Sequence, residues 1–241
     1  MEIPKIARPR RLHDDGAGFQ TQRLPLLLRS TNTAFRPVDI SVGPDGAIYI
    51  ADWHSAVIGH YQSSYADPER DKSRGRIWRV CAKDLPSVRR PALHAMTTDA
   101  LLDQLRSPER WTRYQAKRLL FDRRSAEVLA AADAWVGTLS EQDTDFGRLL
   151  LDVTGVFQAH EAVKAELVSR LLGSKDPRVR AYGCRAVGGW ADRLSEALRL
   201  LEARLRDEHP RVRMEAIVAC SELSDVASAA AVVRVVDLPR D

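Results

Sequence analysis

A short motif around a proline, repeated in the second half of the chain, constrains the fold more than any other feature. Asp176-Pro177-Arg178-Val179-Arg180 recurs 33 residues later as His209-Pro210-Arg211-Val212-Arg213. Proline suits the first helical position and Asp176 suits the N-cap before it. The apolar residues that follow keep helical spacing in both copies. They are Val179, Gly183, Ala186, Val187 and Trp190, and then Val212, Ala216, Ala219, Cys220 and Leu223.

Weaker copies of this motif precede the two clear ones. Ser107-Pro108 opens a predicted helix over 111–121, 69 residues before Pro177, and a unit without the proline lies near 144–157. Helix pairs at this spacing resemble HEAT repeats, although other helical repeats of similar period fit as well. Because one pair cannot bury its own apolar face, neighbouring pairs stack. The predicted fold is mainly α, an α-α superhelix, preceded by a small antiparallel β region.

The β region is predicted from alternating residues in the first part of the chain. Val38 to Val42 and Ala47 to Ala51 flank Gly43-Pro44-Asp45-Gly46, a pattern typical of a β-hairpin. Arg76 to Val80 predicts a third strand, and Leu24 to Arg29 an edge strand, since Pro25 cannot donate to a ladder. We predict a β piece over 1–82, a linker over 83–97 and helical repeats over 98–241.

Six segments of the β region resemble one family. In chain order they are Phe35-Arg36-Pro37-Val38-Asp39, Gly43 to Tyr49, Ala51-Asp52-Trp53, Ile58-Gly59-His60, Asp67-Pro68-x-Arg70-Asp71 and Gly75 to Val80. This set is similar to the last β-propeller blade of the membrane-bound dehydrogenases of planctomycetes, relatives of glucose/sorbosone dehydrogenases. In that family a propeller precedes HEAT repeats and often a C-terminal c-type cytochrome.

The resemblance implies a parent protein that is secreted or periplasmic and that uses pyrroloquinoline quinone, calcium and c-type haem. The chain departs from the family in three ways. Residues 1–82 suffice for about one blade, whereas a propeller needs at least about four. Cys-x-x-Cys-His is absent, and Arg74 stands where the family tends to have histidine. We therefore expect a fragment that holds no cofactor itself and is not active alone.

The connection from Asp52 to Arg74 is 23 residues long, well beyond an ordinary loop. In a functional interpretation His60 is a proton carrier or a ligand, and the Asp52 carboxylate orients it. His60 and Asp52 are therefore the catalytic candidates. The alternative is a structural loop in which carboxylates cap turns. The alternating acidic residues at 67–71 do not predict a calcium site, because they lack the glycine and the final glutamate of an EF-hand loop. The residues of a predicted ligand loop are Asp52, Trp53, His54, His60, Asp71 and Arg76.

Composition excludes several other classes of site. Three scattered cysteines cannot build a disulfide framework or a four-ligand zinc site. His160-Glu161 begins a metalloprotease motif but Lys164 replaces the second histidine, so a helix start is predicted there instead. No apolar run is long enough to span a membrane, and the segment from Met1 to Lys5 lacks the apolar core of a secretory signal. No metal site is predicted.

Charge patterning leaves two roles open for the arginines of the repeats. Residues 1–98 contain 15 basic and 10 acidic side chains, and the remainder is nearly balanced, which does not favour nucleic acid. The repeated arginines are Arg178, Arg180, Arg211 and Arg213. They predict either a stripe that binds an acidic protein or polysaccharide, or internal pairs with Asp176, Asp207 and Glu208. Two functions therefore remain open: a dehydrogenase-family fragment with a binding solenoid, which would also contact the remaining propeller blades, and a stand-alone HEAT scaffold without enzymatic role.

Overall fold

The computed structural model describes residues 5–57, 66–68 and 70–235. These form two compact units, Met1–His13 with Gln20–Pro91, and Asp14–Phe19 with Ala92–Asp241. The mainly helical fold with small antiparallel sheets near the N-terminus is confirmed. The strands are β1 (Lys5–Ala7), β2 (Arg10–Asp15), β3 (Gly18–Arg23), β4 (Leu28–Ser30), β5 (Pro37–Val42), β6 (Ile48–Asp52) and β7 (Arg76–Val80).

The predicted hairpin and third strand are confirmed as one antiparallel sheet in the order β5-β6-β7. Ile40 lies opposite Ile50, and Ile50 opposite Trp78, so these residues share one face of the sheet. Gly46 has a φ of 76°, the left-handed conformation that the turn requires. Ile50 is buried, but Val38 and Ile40 on the edge strand are more than half exposed. The sheet therefore covers its central strand and leaves β5 largely uncovered.

This region contains two further strand pairs, and the sequence predicted a strand in only one of them. β4 pairs with β1 in an antiparallel register that sets Ile6 opposite Arg29, and Pro25 lies before the strand. β2 and β3 form a two-stranded sheet around Gly16, whose φ is 55°. Their sequence is polar and every side chain in them is exposed, so no apolar alternation marks them as strands.

A helix forms at each of four predicted places, over 111–121, near 144–157, from Pro177 and from Pro210, and the structure adds helices whose positions were not predicted. The helices of the described residues follow in chain order. They are α1 (Thr98–Asp103), α2 (Arg110–Phe121), α3 (Ser125–Val136), α4 (Phe146–Ala159), α5 (Ala165–Leu172), α6 (Pro177–Gly189), α7 (Ala197–Glu202), α8 (Pro210–Cys220) and α9 (Val226–Val233). Pro177 and Pro210 occupy the first turns, and Asp176 accepts a hydrogen bond from the amide of Arg178 at 2.8 Å. His209 takes the same capping role for α8.

The prediction of a helix start at His160 is wrong. His160 instead follows the last residue of α4, and its ring lies 3.1 Å from both Ser125 Oγ and the Leu120 carbonyl. Glu161 has a φ of 55°, which ends the helix, and α5 begins only at Ala165. The tertiary contacts of the histidine ring explain why the chain turns here.

Packing within the helical unit follows the order of a solenoid. Helices α2, α4, α6 and α8 each contact the next in that series, while α5 packs on α6 and α7 on α8. Their buried faces form two apolar clusters, one around Leu101, Leu150 and Phe157 and one around Trp190 and Leu201. Cys184 and Cys220 are buried in the second cluster, as the sequence predicts for small apolar side chains.

Candidate functional site

Asp52, at the end of β6, is a buried hydrogen-bond hub. Its carboxylate oxygens accept bonds from the Arg36 amide at 2.7 Å, the His54 amide at 3.0 Å, and Arg76 Nε and Trp78 Nε1 at 2.8 Å each. Burial alone would raise the pKa of Asp52, but these donors outweigh it and the pKa lies below its ordinary value. A carboxylate bound by four donors is well suited to holding strand ends together.

Arg36 and Arg76, which both donate to Asp52, make further contacts around it. Arg36 Nη1 donates to the Thr33 carbonyl at 2.6 Å and its Nη2 to the Ala56 carbonyl at 2.9 Å. The guanidinium of Arg76 lies over the Trp78 ring, 5.3 Å from its centroid. Burial lowers the pKa of Arg36, whereas the charge of Asp52 favours its protonated form.

His54 and Asp71 extend the cluster into the long connection. His54 has a φ of 54°, and its Nδ1 lies 3.4 Å from Asp71 Oδ2. Asp71 also accepts bonds from the amide and hydroxyl of Ser73, at 2.9 and 2.8 Å, and pairs with Arg74. The Ser73 hydrogen bonds lead in lowering the pKa of Asp71 to about 2. Arg74, whose side chain is largely exposed, pairs with Asp71 at the outer side of this turn.

The structure brings four of the predicted loop residues into one network: Asp52, His54, Asp71 and Arg76. Trp53 is half exposed and lies next to the network in sequence. His60 lies outside the described residues, so its suggested pairing with Asp52 stays a prediction. Sequence reasoning missed Arg36 and Trp78 as partners of Asp52, because sequence separations of 16 and 26 residues give no local pattern.

The repeated arginines fall into two environments in the helical unit. Arg180 is buried, and its Nε and Nη2 donate to the two carboxylate oxygens of Asp207 at 2.9 and 2.7 Å. Its Nη1 also donates to the carbonyls of Ser174 and Lys175, at 3.1 Å each. Arg213 occupies the equivalent position one repeat later and donates to the carbonyls of Asp207 and Glu208. These two side chains fasten the turn before each helix to the helix itself.

Arg178 and Arg211 lie nearer the surface. Arg178 Nε donates to Asp14 Oδ2 at 3.0 Å, and its side chain is 70% exposed. The guanidinium carbon of Arg211 lies 4.5 Å from the centroid of the Phe19 ring. Residues 14–19 belong to the same compact unit as these helices. The hydrogen bond from Arg178 lowers the pKa of Asp14, as expected for a carboxylate beside a guanidinium.

Residues 5–57, 66–68 and 70–235 contain no group of three or more His, Cys, Asp or Glu side chains placed to hold a metal ion. Within the same ranges, no helix combines the length and apolar character needed to cross a bilayer.

Comparison with known proteins supports the helical assignment. Residues 4–84 match the family model described as "Domain of unknown function (DUF7133)". No curated protein matches the chain. Two crystal structures of engineered proteins from the Northeast Structural Genomics Consortium are 20% and 17% identical, each with a TM-score of 0.35. The match covers 58% of this chain and 68% and 70% of theirs, and these values do not establish a shared fold. Residues 165–241, about a third of the chain, match the family model described as "HEAT repeats", and such repeats commonly mediate protein interactions.

Proposed function

We propose that the chain is a binding module whose HEAT solenoid docks an acidic protein or polysaccharide. The observation that carries this proposal is the environment of Arg178 and Arg211 at the starts of two successive repeat helices. One binds a carboxylate and the other an aromatic ring, both from residues 14–19. The two contacts indicate which chemical groups this edge accepts, since guanidinium forks suit carboxylates and stack on rings.

The β region supports a second part of the proposal, that the module belongs to a larger dehydrogenase-like protein in the periplasm. Its support is the resemblance of six segments between Phe35 and Val80 to the last propeller blade of that family. In this proposal the remaining blades, pyrroloquinoline quinone, calcium and c-type haem belong to the rest of the parent protein. Asp52 then has a structural role, since its four hydrogen bonds tie β6 to β7 and to the segment before β5. The flanking coding sequence tests this part: further blades upstream and Cys-x-x-Cys-His downstream would support it, and a different architecture would refute it.

The binding proposal is tested on the full chain with immobilised poly-glutamate and polygalacturonate, by biolayer interferometry at two salt concentrations. The variant Arg178→Ala/Arg211→Ala removes two charges from the edge. The control Arg110→Ala/Arg118→Ala removes two exposed arginines from α2. We expect the edge variant to lose about tenfold or more in affinity, because each charge-assisted hydrogen bond contributes substantially to binding. Equal losses in the two variants, or no binding by the wild type, would contradict the proposal.

A further inference from the structure

A cavity of about 540 Å³ opens in the helical unit where α4 begins, α5 ends and α6 begins. Its volume lies in the range of ordinary ligand pockets. The residues that decide its chemistry are Phe146 and Arg148 at the start of α4, Arg170 on the last turn of α5, and Lys175 and Asp176 before α6. The positive dipole end of the 14-residue α4 lies at this cavity, and so does the negative dipole end of α5.

Arg170 is held by stacking on an aromatic ring, which leaves its hydrogen-bonding edge available. Its guanidinium carbon lies 5.1 Å from the centroid of Phe146, and both side chains are half-buried. Among the residues that the structure describes, Arg170 has no carboxylate partner. A guanidinium fixed in plane in this way loses little conformational entropy when it binds a carboxylate.

Lys175 adds a second cation at a fixed point of the backbone. Its carbonyl, like that of Ser174, accepts a hydrogen bond from the buried Arg180 at 3.1 Å, so the segment before α6 is anchored. The Lys175 side chain is exposed, and over the described ranges it too lacks a carboxylate partner. Two cations without a carboxylate partner among the described residues therefore line the cavity, one on a helix end and one on an anchored turn.

The acidic residues around the cavity are mostly engaged elsewhere. Asp145 accepts from Arg148 Nη2 at 2.6 Å, and Asp176 caps α6 through the Arg178 amide at 2.8 Å. Glu141 is exposed on the rim. Three acidic and three basic side chains line the cavity, so its formal charge is balanced overall. Arg170 and Lys175 nevertheless have no carboxylate partner among the described residues, and a carboxylate that enters the cavity would pair with them.

We propose that this cavity binds a carboxylate side chain from an acidic peptide segment of the protein partner. The guanidinium fork of Arg170 takes the carboxylate, Lys175 pairs with a second acidic residue, and Phe146 covers the aliphatic part of the peptide. This inference rests on the proposed binding function and gives it a second contact point, separate from the edge formed by Arg178 and Arg211.

The test uses the full chain and a fluorescein-labelled deca-glutamate peptide, followed by fluorescence anisotropy, with a deca-glutamine peptide as the neutral control. The cavity variant is Arg170→Gln/Lys175→Gln, and Arg110→Gln/Arg118→Gln is the charge-matched control. We expect the cavity variant to bind about tenfold or more weakly and the control to change less than about threefold. Glu141→Lys changes an exposed residue without disturbing packing, and it should tighten binding.

The outcomes separate this inference from the proposed function. If the cavity variant and Glu141→Lys both bind the peptide like the wild type while Arg178→Ala/Arg211→Ala binds weakly, the cavity proposal is wrong and the edge proposal stands. If only the cavity variant loses binding, the cavity is the main site and the edge is not. Failure of the wild type to bind the peptide, or equal binding of deca-glutamine, overturns the cavity proposal.

Discussion

Replacing Asp207 with asparagine should destabilise the helical unit, because the buried Arg180 guanidinium keeps only the exposed Glu208, 3.3 Å away, as a counter-charge. Asp207 accepts two bonds from Arg180, one from Arg204 at 3.0 Å and one from the His209 amide at 3.0 Å. In the variant an amide nitrogen would face one of these N–H donors. Breaking a buried pair on one side costs about 3–5 kcal/mol, and Arg180 keeps its bonds to the Ser174 and Lys175 carbonyls. We therefore expect the lower end, about 3 kcal/mol.

The free energy of unfolding is measured by urea denaturation with circular dichroism at 222 nm, and the melting temperature should fall by about 6–12 °C. Burial favours the neutral form of Asp207, but the bonds from Arg180 and the His209 amide outweigh it and hold the pKa of Asp207 below its ordinary value. A lowered pKa in the folded state stabilises the protein above the unfolded pKa, and the stabilisation is lost as pH falls. The difference between wild type and Asp207→Asn should therefore shrink below about pH 4.

The control is Glu196→Gln, which breaks the exposed pair with Arg199 and should cost less than about 1 kcal/mol. A loss below about 1 kcal/mol for Asp207→Asn would refute the reasoning. A difference between the variants that stays constant from pH 7 to pH 3 would show that the carboxylate charge is not the cause.

Three further predictions follow from packing, burial and hydrogen bonding. Gly183→Ala should lower the free energy of unfolding, measured by urea denaturation, by about 1–3 kcal/mol, because the added Cβ would lie 3.1 Å from Leu171 Cβ. Gly189→Ala in the same helix is the control: no atom lies within 4 Å of its added Cβ, so the free energy of unfolding should not fall. Burial raises the pKa of Cys184 to about 12, so a thiol reagent at pH 8 should label the exposed Cys81 in the native protein and Cys184 only after unfolding. Mass spectrometry of the labelled peptides measures this, and equal labelling rates of the two cysteines in the native protein would refute it. Asp52→Asn should weaken hydrogen-exchange protection of β6 by about 2–3 kcal/mol and leave α6 unchanged, and unaltered protection of β6 would argue against the hub.

The sequence by itself determined the elements whose cause is local. Proline at the first helical position and the Asp176 cap predicted where α6 and α8 begin, because both act within one turn of backbone. The alternation of Val38, Ile40 and Val42 around a glycine turn predicted β5 and β6 for the same reason. Periodic apolar residues also predicted the stacking of helices, since each face needs a neighbour.

Tertiary structure alone decided which of several equivalent polar residues act together. Arg178 and Arg180 are two positions apart, so helical geometry alone sends them to different faces, but only the packing of the next repeat decides that Arg180 is buried on Asp207 while Arg178 is exposed. Arg36 and Trp78 join Asp52 only after the sheet brings distant segments together. The cavity with Arg170 and Lys175 likewise exists only where three helix ends meet. The spacing of residues in the sequence predicts the helix or strand to which each residue belongs. These sites join residues that are far apart in the sequence, and only tertiary packing brings such residues together.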